Sequence, residues 1–263
     1  MSPLINVFGH EVYAYAIFIG LAIVVATITF FMLGTRYARF IDSVEFLFYT
    51  ALNAVVTAKI AFFISAIPDI IEYPLYLHAC LFEGGFNFTA GLVAALITGF
   101  VMCRRRNMSM PRVMSAFVIA VCIGHAILKV GCLYNGCCYG WAHDGLFSID
   151  VAGVGKVFAM PMVESICSLG LFVALFVLFL KTNFKEESVI HIYFMVIYPV
   201  IKFVLEFFRG DEVRGVYILS VAQWLCIGLF IVGAIMLVPH ILKKFKKTSA
   251  TVEYIKLGNT KKD

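Results

Sequence analysis

The amino-acid sequence predicts an all-α, polytopic membrane protein with seven transmembrane helices. Hydrophobic residues make up 62% of its 263 residues, charged residues 14%, and the mean hydropathy is +0.95. Soluble globular chains contain about 45–50% apolar and about 25% charged residues. One soluble domain of this size cannot hide the surplus apolar surface. The composition therefore excludes a water-soluble enzyme, a disordered chain and a disulfide-stapled secreted module.

The predicted spans follow from the length of the apolar segments, because a crossing helix needs roughly 20 apolar residues. Three segments contain no Asp, Glu, Lys or Arg; these are residues 12–35, 84–103 and 215–242. Four further segments carry or border a charge; these are about 44–67, 112–131, 161–180 and 188–209. Residues 68–82 contain Pro68 and Pro74, which predict a break from helix into an interfacial arm or a re-entrant turn.

The distribution of basic residues predicts the orientation. Fifteen of the 21 Lys and Arg residues follow the first, third, fifth and seventh predicted spans, and such residues favour cytoplasmic loops. We therefore expect the N-terminus outside and the C-terminus in the cytoplasm. Residues 1–242 form the predicted seven-helix domain and residues 243–263 a basic cytoplasmic tail. The sizeable external connection is about 132–160, where Gly, Cys, Asp and His replace the apolar run.

Six ionisable residues lie within or at the ends of the predicted spans. They are Lys59, Lys129, Lys202, Glu83, Glu164 and Glu206. A charge at the centre of a span costs about 2.5–3.5 kcal/mol and usually faces the bundle interior, where it marks a functional site. Ion pairs that hold the bundle together, a pocket for an anionic lipid headgroup and an ion or proton pathway all fit this set. All but Lys59 fall in the predicted outer half, which favours the pocket over a pathway that crosses the full depth.

Helical spacing indicates which of these residues share a face. His125 and Lys129 are four residues apart, and Lys202, Glu206 and Arg209 continue as i, i+4 and i+7, so each set forms one polar stripe. Lys and Arg are the residues that bind phosphate groups. The spacing therefore predicts a cationic pocket that opens to the outer leaflet and accepts an anionic lipid headgroup.

Three sequence blocks resemble a known family. Residues 124–140 read GHAILKVGCLYNGCCYG, residues 202–211 read KFVLEFFRGD, and the weaker block at residues 160–164 reads MPMVE. The first resembles the signature block of the bacterial prolipoprotein diacylglyceryl transferase family, and the second resembles its Arg-x-x-x-Glu-Phe-x-Arg stretch. The chain departs from the family pattern at several positions, which indicates a divergent member. Lys129 and Lys202 each occupy a position where the family has Arg, and Thr89 occupies one where it has His. Cys132 occupies a position where the family has Asn, and Cys137 one where it has an acidic residue.

The resemblance implies a multi-pass enzyme of the bacterial inner membrane. It would move diacylglyceryl from phosphatidylglycerol to a cysteine thiol of an exported lipoprotein precursor, releasing glycerol phosphate, without a metal, another cofactor or nucleic acid. The expected catalytic residues are His125, Lys129, Lys202 and Glu206. The expected substrate-binding residues are Glu83, Thr89, Lys129, Asn135, Gly140, Glu164, Lys202 and Arg209. Glu206 is expected to position Lys202 or Arg209, and Asn135 with Gly140 to shape a turn beside the pocket.

Three alternatives stay open at this stage. The departures fit a related lipid transferase with a peptide or envelope-glycan acceptor, and they also fit a phospholipid-binding membrane protein without catalysis. The third alternative is a membrane thiol–disulfide protein that uses Cys132, Cys137 and Cys138. Their C-x₄-C-C spacing is not a usual zinc pattern, so free packed thiols, a disulfide and a redox site are the interpretations of this group.

A stripe of small residues on the third predicted span indicates close helix packing. Gly91, Ala95 and Gly99 recur every four residues, and small residues at this spacing let two helix backbones approach each other in a membrane. This pattern predicts a structural role only.

Overall fold

The computed structural model describes residues 5–7, 10–35, 38–82, 85–182, 189–210 and 218–259. The helices are α1 (Ala14–Gly34), α2 (Phe40–Ser65), α3 (Ile67–Glu72), α4 (Tyr76–Phe82), α5 (Phe88–Arg105), α6 (Met110–Asn135), α7 (Met160–Lys181), α8 (Ile190–Glu206) and α9 (Val221–Asn259). The strands are β1 (Ile5–Val7), β2 (His10–Val12), β3 (Ser148–Val151) and β4 (Gly155–Phe158). Strand β1 pairs with β2, and β3 pairs with β4, each as an antiparallel two-stranded hairpin.

Six helices in the described part of the chain are long and apolar enough to cross a membrane. They are α1, α2, α5, α6, α7 and the Val221–Leu242 part of α9. The mostly helical fold is thereby confirmed, and six of the seven predicted spans correspond to candidate membrane-spanning helices. The remaining expected span, at about 188–209, corresponds to α8, which has only 17 residues. The predicted domain boundary at residue 242 falls inside α9, which continues as a helix to Asn259.

Helix α6 lies at the centre of the bundle. It packs against α1 and α7, while α5 packs against α2 and α9 against α8. Val113, Ala116, Val118 and Ile119 of α6 are fully buried. On the outer helices, large apolar side chains such as Met32 of α1 are exposed instead. An apolar outer surface of this kind suits hydrocarbon rather than water.

The small-residue stripe of α5 lies against neighbouring helices, as predicted. A Cβ atom added to Gly91 would meet the carbonyl oxygen of Ala54 at 2.8 Å, and one added to Gly99 would meet Met114 Sδ at 2.9 Å. Larger side chains would push α5 away from α2 and α6. The stripe therefore sets the close approach of these helices.

The segment 68–82 contains two short helices, α3 and α4, that are separate from α2. Pro68 lies in the first turn of α3, where a missing backbone N–H costs no hydrogen bond, and α4 follows from Tyr76. Pro74 lies between these two short helices. The helix is therefore interrupted after Ser65 and again between Glu72 and Tyr76, as the prolines predict, and an interfacial arm stays a prediction.

The connection between α6 and α7 is more ordered than predicted. Helix α6 extends to Asn135 and ends at Gly136, whose φ of 65° gives the left-handed cap that favours glycine. Just before the β3–β4 hairpin, the Gly140 N–H donates to the Phe158 carbonyl (2.8 Å), and the Tyr139 carbonyl accepts from the Gly210 N–H (3.0 Å). These bonds fix the connection to the chain that follows α8.

Candidate functional site

A cavity of about 520 Å³ lies where the ends of several helices meet. This volume falls in the range of small-molecule sites, about 300–1,000 Å³. Its wall combines apolar side chains with a group of polar ones. The polar side chains are those of Tyr15, Ser65, Asn87, Thr89, His125, Lys129, Asn135, Cys137, Cys138, Lys202, Glu206, Arg209 and Ser220.

Seven of the ten expected site residues line this cavity. They are Thr89, His125, Lys129, Asn135, Lys202, Glu206 and Arg209. The predicted shared face of His125 and Lys129 is confirmed, as is that of Lys202 and Glu206 on α8, since these side chains line the same cavity. Arg209 lines it as well, but it lies beyond the end of α8, so the helical stripe does not extend to it.

Of the other three expected site residues, the structure places two away from the cavity lining. Glu164 is buried behind the cavity wall. Gly140 does not line the cavity; its N–H donates to Phe158, and an added Cβ would meet the Phe208 carbonyl oxygen at 2.7 Å. Gly140 therefore holds the connection in place instead of presenting a donor to the cavity. Glu83 lies outside the described residues.

Lys59, the sixth charge of the predicted polar set, is apart from the other two lysines. Its Nζ atom lies 5.0 Å from the ring centroid of Phe86 and 5.7 Å from that of Phe62. Both rings line the cavity, although Lys59 itself does not. A cation near aromatic faces is attracted by the ring quadrupole.

Glu164 of α7 joins the two buried lysines. One carboxylate oxygen contacts Lys129 Nζ, and the other contacts Lys202 Nζ. Lys202 also lies 3.1 Å from Glu206, which is 3.8 Å from Arg209. Removing a buried charge from water is costly unless it is paired, so this network fixes α6, α7 and α8 relative to one another.

The network leaves the cavity with an excess of positive charge. Lys129, Lys202 and Arg209 supply three cations, whereas Glu164 and Glu206 supply two carboxylates. With the carboxylates ionised and His125 neutral, the described groups of the network sum to one positive charge. Such a site is complementary to an anion that carries a single negative charge.

His125 is held in one orientation at the cavity wall. Its Nδ1 atom lies 2.7 Å from Ser168 Oγ, and its ring stacks on Phe88 with centroids 4.3 Å apart. Its Nε2 atom is buried and has no hydrogen-bond partner among the residues that the structure describes. With Nδ1–H donating to Ser168, Nε2 carries the lone pair and can accept a proton from a bound molecule.

Two helices begin at the cavity with capped N-termini. The Gln223 N–H donates to Ser220 Oγ (3.1 Å), and the Ser220 N–H donates to Gln223 Oε1 (2.9 Å). In α5, the Ala90 N–H donates to Asn87 Oδ1 (3.1 Å). The N-terminal ends of helices favour anions. Sequence reasoning missed both caps, although Ser-x-x-Gln before the apolar run of α9 is a recognisable capping signal.

Three cysteines come together beside the cationic residues. The Sγ atoms of Cys132, Cys137 and Cys138 all lie within 4.8 Å of one another, and all eight cysteines of the chain are free thiols. Hydrogen bonds from the Cys132 and Cys137 thiols hold the pKa of Cys138 well below its usual range, and the positive charges of Lys129 and Arg209 act in the same direction. The sequence predicted that these three cysteines group together and left free thiols, a disulfide and a redox site open; in the structure they are free thiols.

Comparison with known proteins decides the family. The sequence profile described as "Prolipoprotein diacylglyceryl transferase" matches residues 3–239. The chain belongs to the prolipoprotein diacylglyceryl transferase family. The resemblance carried by residues 124–140 and 202–211 is therefore confirmed. Family membership also confirms the expected location, because these transferases are enzymes of the bacterial membrane.

Members of the prolipoprotein diacylglyceryl transferase family align with this chain over nearly its whole length. A Clostridium perfringens protein named phosphatidylglycerol–prolipoprotein diacylglyceryl transferase 2 is 26% identical over 252 residues, which cover 92% of this chain and 96% of that protein. A Clostridium tetani protein named as such a transferase is 23% identical and covers 89% and 95%. A Finegoldia magna protein with the same name is 25% identical and covers 89% and 94%.

Proposed function

We propose that the chain transfers diacylglyceryl from phosphatidylglycerol to the cysteine thiol of an exported lipoprotein precursor. The observation that supports this most directly is the cavity wall itself, where Lys129, Lys202 and Arg209 give an excess of one positive charge over their paired carboxylates. Phosphatidylglycerol carries a single negative charge on its phosphodiester. The named activity of the aligned relatives supports the same substrates.

The orientation that serves this reaction has the N-terminus outside and the C-terminal tail, residues 243–263, in the cytoplasm. Fifteen of the 21 Lys and Arg residues then lie on the cytoplasmic side. In this arrangement α8 also crosses the membrane, which brings the number of spans to seven. The cavity opens toward the outer leaflet, where the exported acceptor meets the lipid donor.

In this proposal, the cations hold the phosphate of the donor. Lys129 and Lys202 are fixed by Glu164 before the lipid arrives, so their charges need little reorganisation as negative charge develops on the leaving phosphate. Arg209 is the most exposed of the three cations, with 21% of its side chain accessible against 7% for each lysine. It is therefore placed to meet the headgroup first.

The reaction forms one bond and breaks another. The acceptor sulfur attacks a glycerol carbon, the bond from that carbon to the phosphate oxygen breaks, and glycerol phosphate leaves with the electron pair. The thiol proton passes to Nε2 of His125, the buried acceptor on the cavity wall. Ser168 keeps the ring oriented for this transfer. Lys129 and Lys202 stabilise the departing phosphate.

An apolar groove offers room for the acyl chains of the donor. A groove of about 210 Å³ lies between α8 and α9 and is lined by Pro199, Val200, Phe203, Val204, Cys226, Ile227 and Phe230. No charged side chain is among these residues. In a bilayer, such a groove accommodates hydrocarbon without desolvating a polar group.

Mass spectrometry of the acceptor tests this proposal. The purified full-length chain is incubated in vesicles with isotope-labelled phosphatidylglycerol and a peptide that carries one acceptor cysteine. The expected result is a mass gain of one labelled diacylglyceryl group on the cysteine, together with release of glycerol phosphate. An unmodified peptide, under conditions in which a family enzyme modifies it, would overturn the proposal.

The same experiment separates the alternatives. Consumption of the donor in membranes with an unmodified peptide indicates a transferase with a different acceptor. Saturable binding of the lipid without consumption indicates a phospholipid-binding protein without catalysis. Oxidation of the peptide thiol to a disulfide indicates the thiol–disulfide alternative.

A further inference from the structure

The cluster of Cys132, Cys137 and Cys138 is built by the shape of the chain around the end of α6. Cys132 is buried on the last turns of the helix, with 5% of its surface exposed. Gly136 then turns the backbone at φ 65°, and Cys138 adopts a φ of 58°, which a residue with a side chain rarely does. The chain thus folds back so that two later thiols approach the first, and such strain is usually found at functional sites.

The separation of the three sulfurs matches the requirements of one metal ion. Sulfurs bound to a single zinc ion at about 2.3 Å lie about 3.8–4.0 Å apart. The three Sγ atoms already lie within 4.8 Å of one another, which exceeds that separation by about 1 Å at most. Thiolates are soft ligands that select zinc and similar ions over magnesium or calcium.

The position of the cluster at the cavity decides what the fourth ligand would be. Cys137 and Cys138 line the cavity, whereas Cys132 lies behind them. Zinc prefers four ligands, and a site with three protein ligands leaves one position for water or substrate. The described residues include no further cysteine in this cluster. The open position therefore faces the space in which the acceptor cysteine must lie.

We propose that Cys132, Cys137 and Cys138 bind one zinc ion through their thiolates and that its fourth position binds the thiol of the acceptor. The role of the acceptor rests on the proposed function, whereas the metal site itself does not.

Zinc would supply the thiolate that the reaction needs. A thiol bound to zinc loses its proton, and this proton passes to Nε2 of His125. The zinc-bound sulfur then attacks the glycerol carbon, and the carbon–oxygen bond to the phosphate breaks. Zinc stays in the same oxidation state, and the thioether product is a weaker ligand that leaves.

Metal analysis of the purified full-length chain tests the site. Cells are grown with zinc, and the protein is measured by mass spectrometry of its metals beside a Cys132→Ser, Cys137→Ser, Cys138→Ser triple variant and a Cys167→Ser control on α7. We expect about one zinc per chain in the wild type and the control, and at least a tenfold lower content in the triple variant. A wild-type protein without zinc, with copper in its place or with a disulfide among these cysteines would overturn the proposal.

Cobalt replacement keeps the proposal testable if the triple variant fails to fold. Wild-type protein loaded with Co²⁺ should show thiolate-to-cobalt charge-transfer bands, and a peptide with one cysteine should change the visible bands, whereas its serine counterpart should not. Identical spectra with both peptides would refute the proposal that the fourth position of the metal binds the acceptor thiol. Zinc binding and a thiol response without any diacylglyceryl transfer would refute the proposed function alone. Loss of zinc with wild-type transfer rates would refute the role of zinc in binding the acceptor.

Discussion

Lys129 of α6 and Lys202 of α8 contact opposite oxygens of one buried carboxylate, that of Glu164 on α7. Each lysine is therefore held by a partner on another helix, while its side chain still lines the cavity. An ion pair that holds the bundle and a cationic pocket are usually considered separate interpretations of such residues. Here the same three side chains form both.

The first prediction concerns Glu164. The substitution Glu164→Gln leaves Lys129 and Lys202 buried with only one carboxylate, that of Glu206, so we expect a loss of about 3–5 kcal/mol of stability. Transfer activity should fall with it, because the lysines lose their fixed positions. Thermal unfolding in detergent and the transfer assay measure the two effects. The control Glu45→Gln removes an exposed partner of Arg106 and should cost about 0–1 kcal/mol.

The second prediction separates charge from shape at Lys129. Lys129→Ala removes a cation that faces the donor phosphate, so we expect a decrease in kcat of about 100- to 1,000-fold. Lys129→Arg keeps the charge and introduces the residue type of the family, so it should keep most of the activity. Both are measured with labelled phosphatidylglycerol. Equal activities of the alanine and arginine variants would show that the charge at this position is not used.

The third prediction treats Ser168 as a positioning residue for His125. Ser168→Ala removes the hydrogen-bond partner of Nδ1, so the ring loses its orientation, and kcat should fall about tenfold with little change in KM. The matched control is Ser165→Ala on the same helix, whose hydroxyl donates to the Ala126 carbonyl at 2.8 Å. Each variant should lose about 1 kcal/mol of stability. A similar loss of kcat in both would indicate a merely structural effect.

The sequence predicts those parts of the site that depend on local periodicity. His125 and Lys129 share a face of α6, as do Lys202 and Glu206 on α8, because 3.6 residues form one turn. Arg209 lies beyond the end of α8, where it pairs with Gly140 as an isolated β-bridge. The sequence could not predict that Glu164 joins two helices, since this depends on how α6, α7 and α8 pack. Lys59 illustrates the same limit, because its predicted depth set it apart from the other five charges, but only packing shows that its Nζ atom lies near the rings of Phe62 and Phe86.

Backbone geometry explains the other differences between prediction and structure. The cysteine cluster depends on two residues with a left-handed backbone conformation, Gly136 and Cys138. Of the two, only the glycine indicates a left-handed conformation in the sequence. The β3–β4 hairpin was missed because its strands have four residues each. Strands this short carry little alternation of apolar and polar residues.

The last prediction concerns the close contact between Gly140 and Gly210. The backbone of residues 139–141 lies so near Gly210 that a Cβ atom there would collide with the Gly140 carbonyl. Gly210→Ala should therefore separate the α6–α7 connection from α8, displace Arg209 and its neighbouring cysteines, and cost about 1–3 kcal/mol of stability. Transfer should fall with a raised KM for phosphatidylglycerol, because the exposed cation moves.

The control for this prediction is Gly170→Ala inside α7, where no atom lies within 4 Å of an added Cβ. This variant should keep full activity and gain about 0.5–1 kcal/mol, because alanine favours helix over glycine. Thermal unfolding and the dependence of transfer rate on lipid concentration measure both variants. Wild-type KM and stability in Gly210→Ala would contradict the idea that this contact holds Arg209 at the cavity.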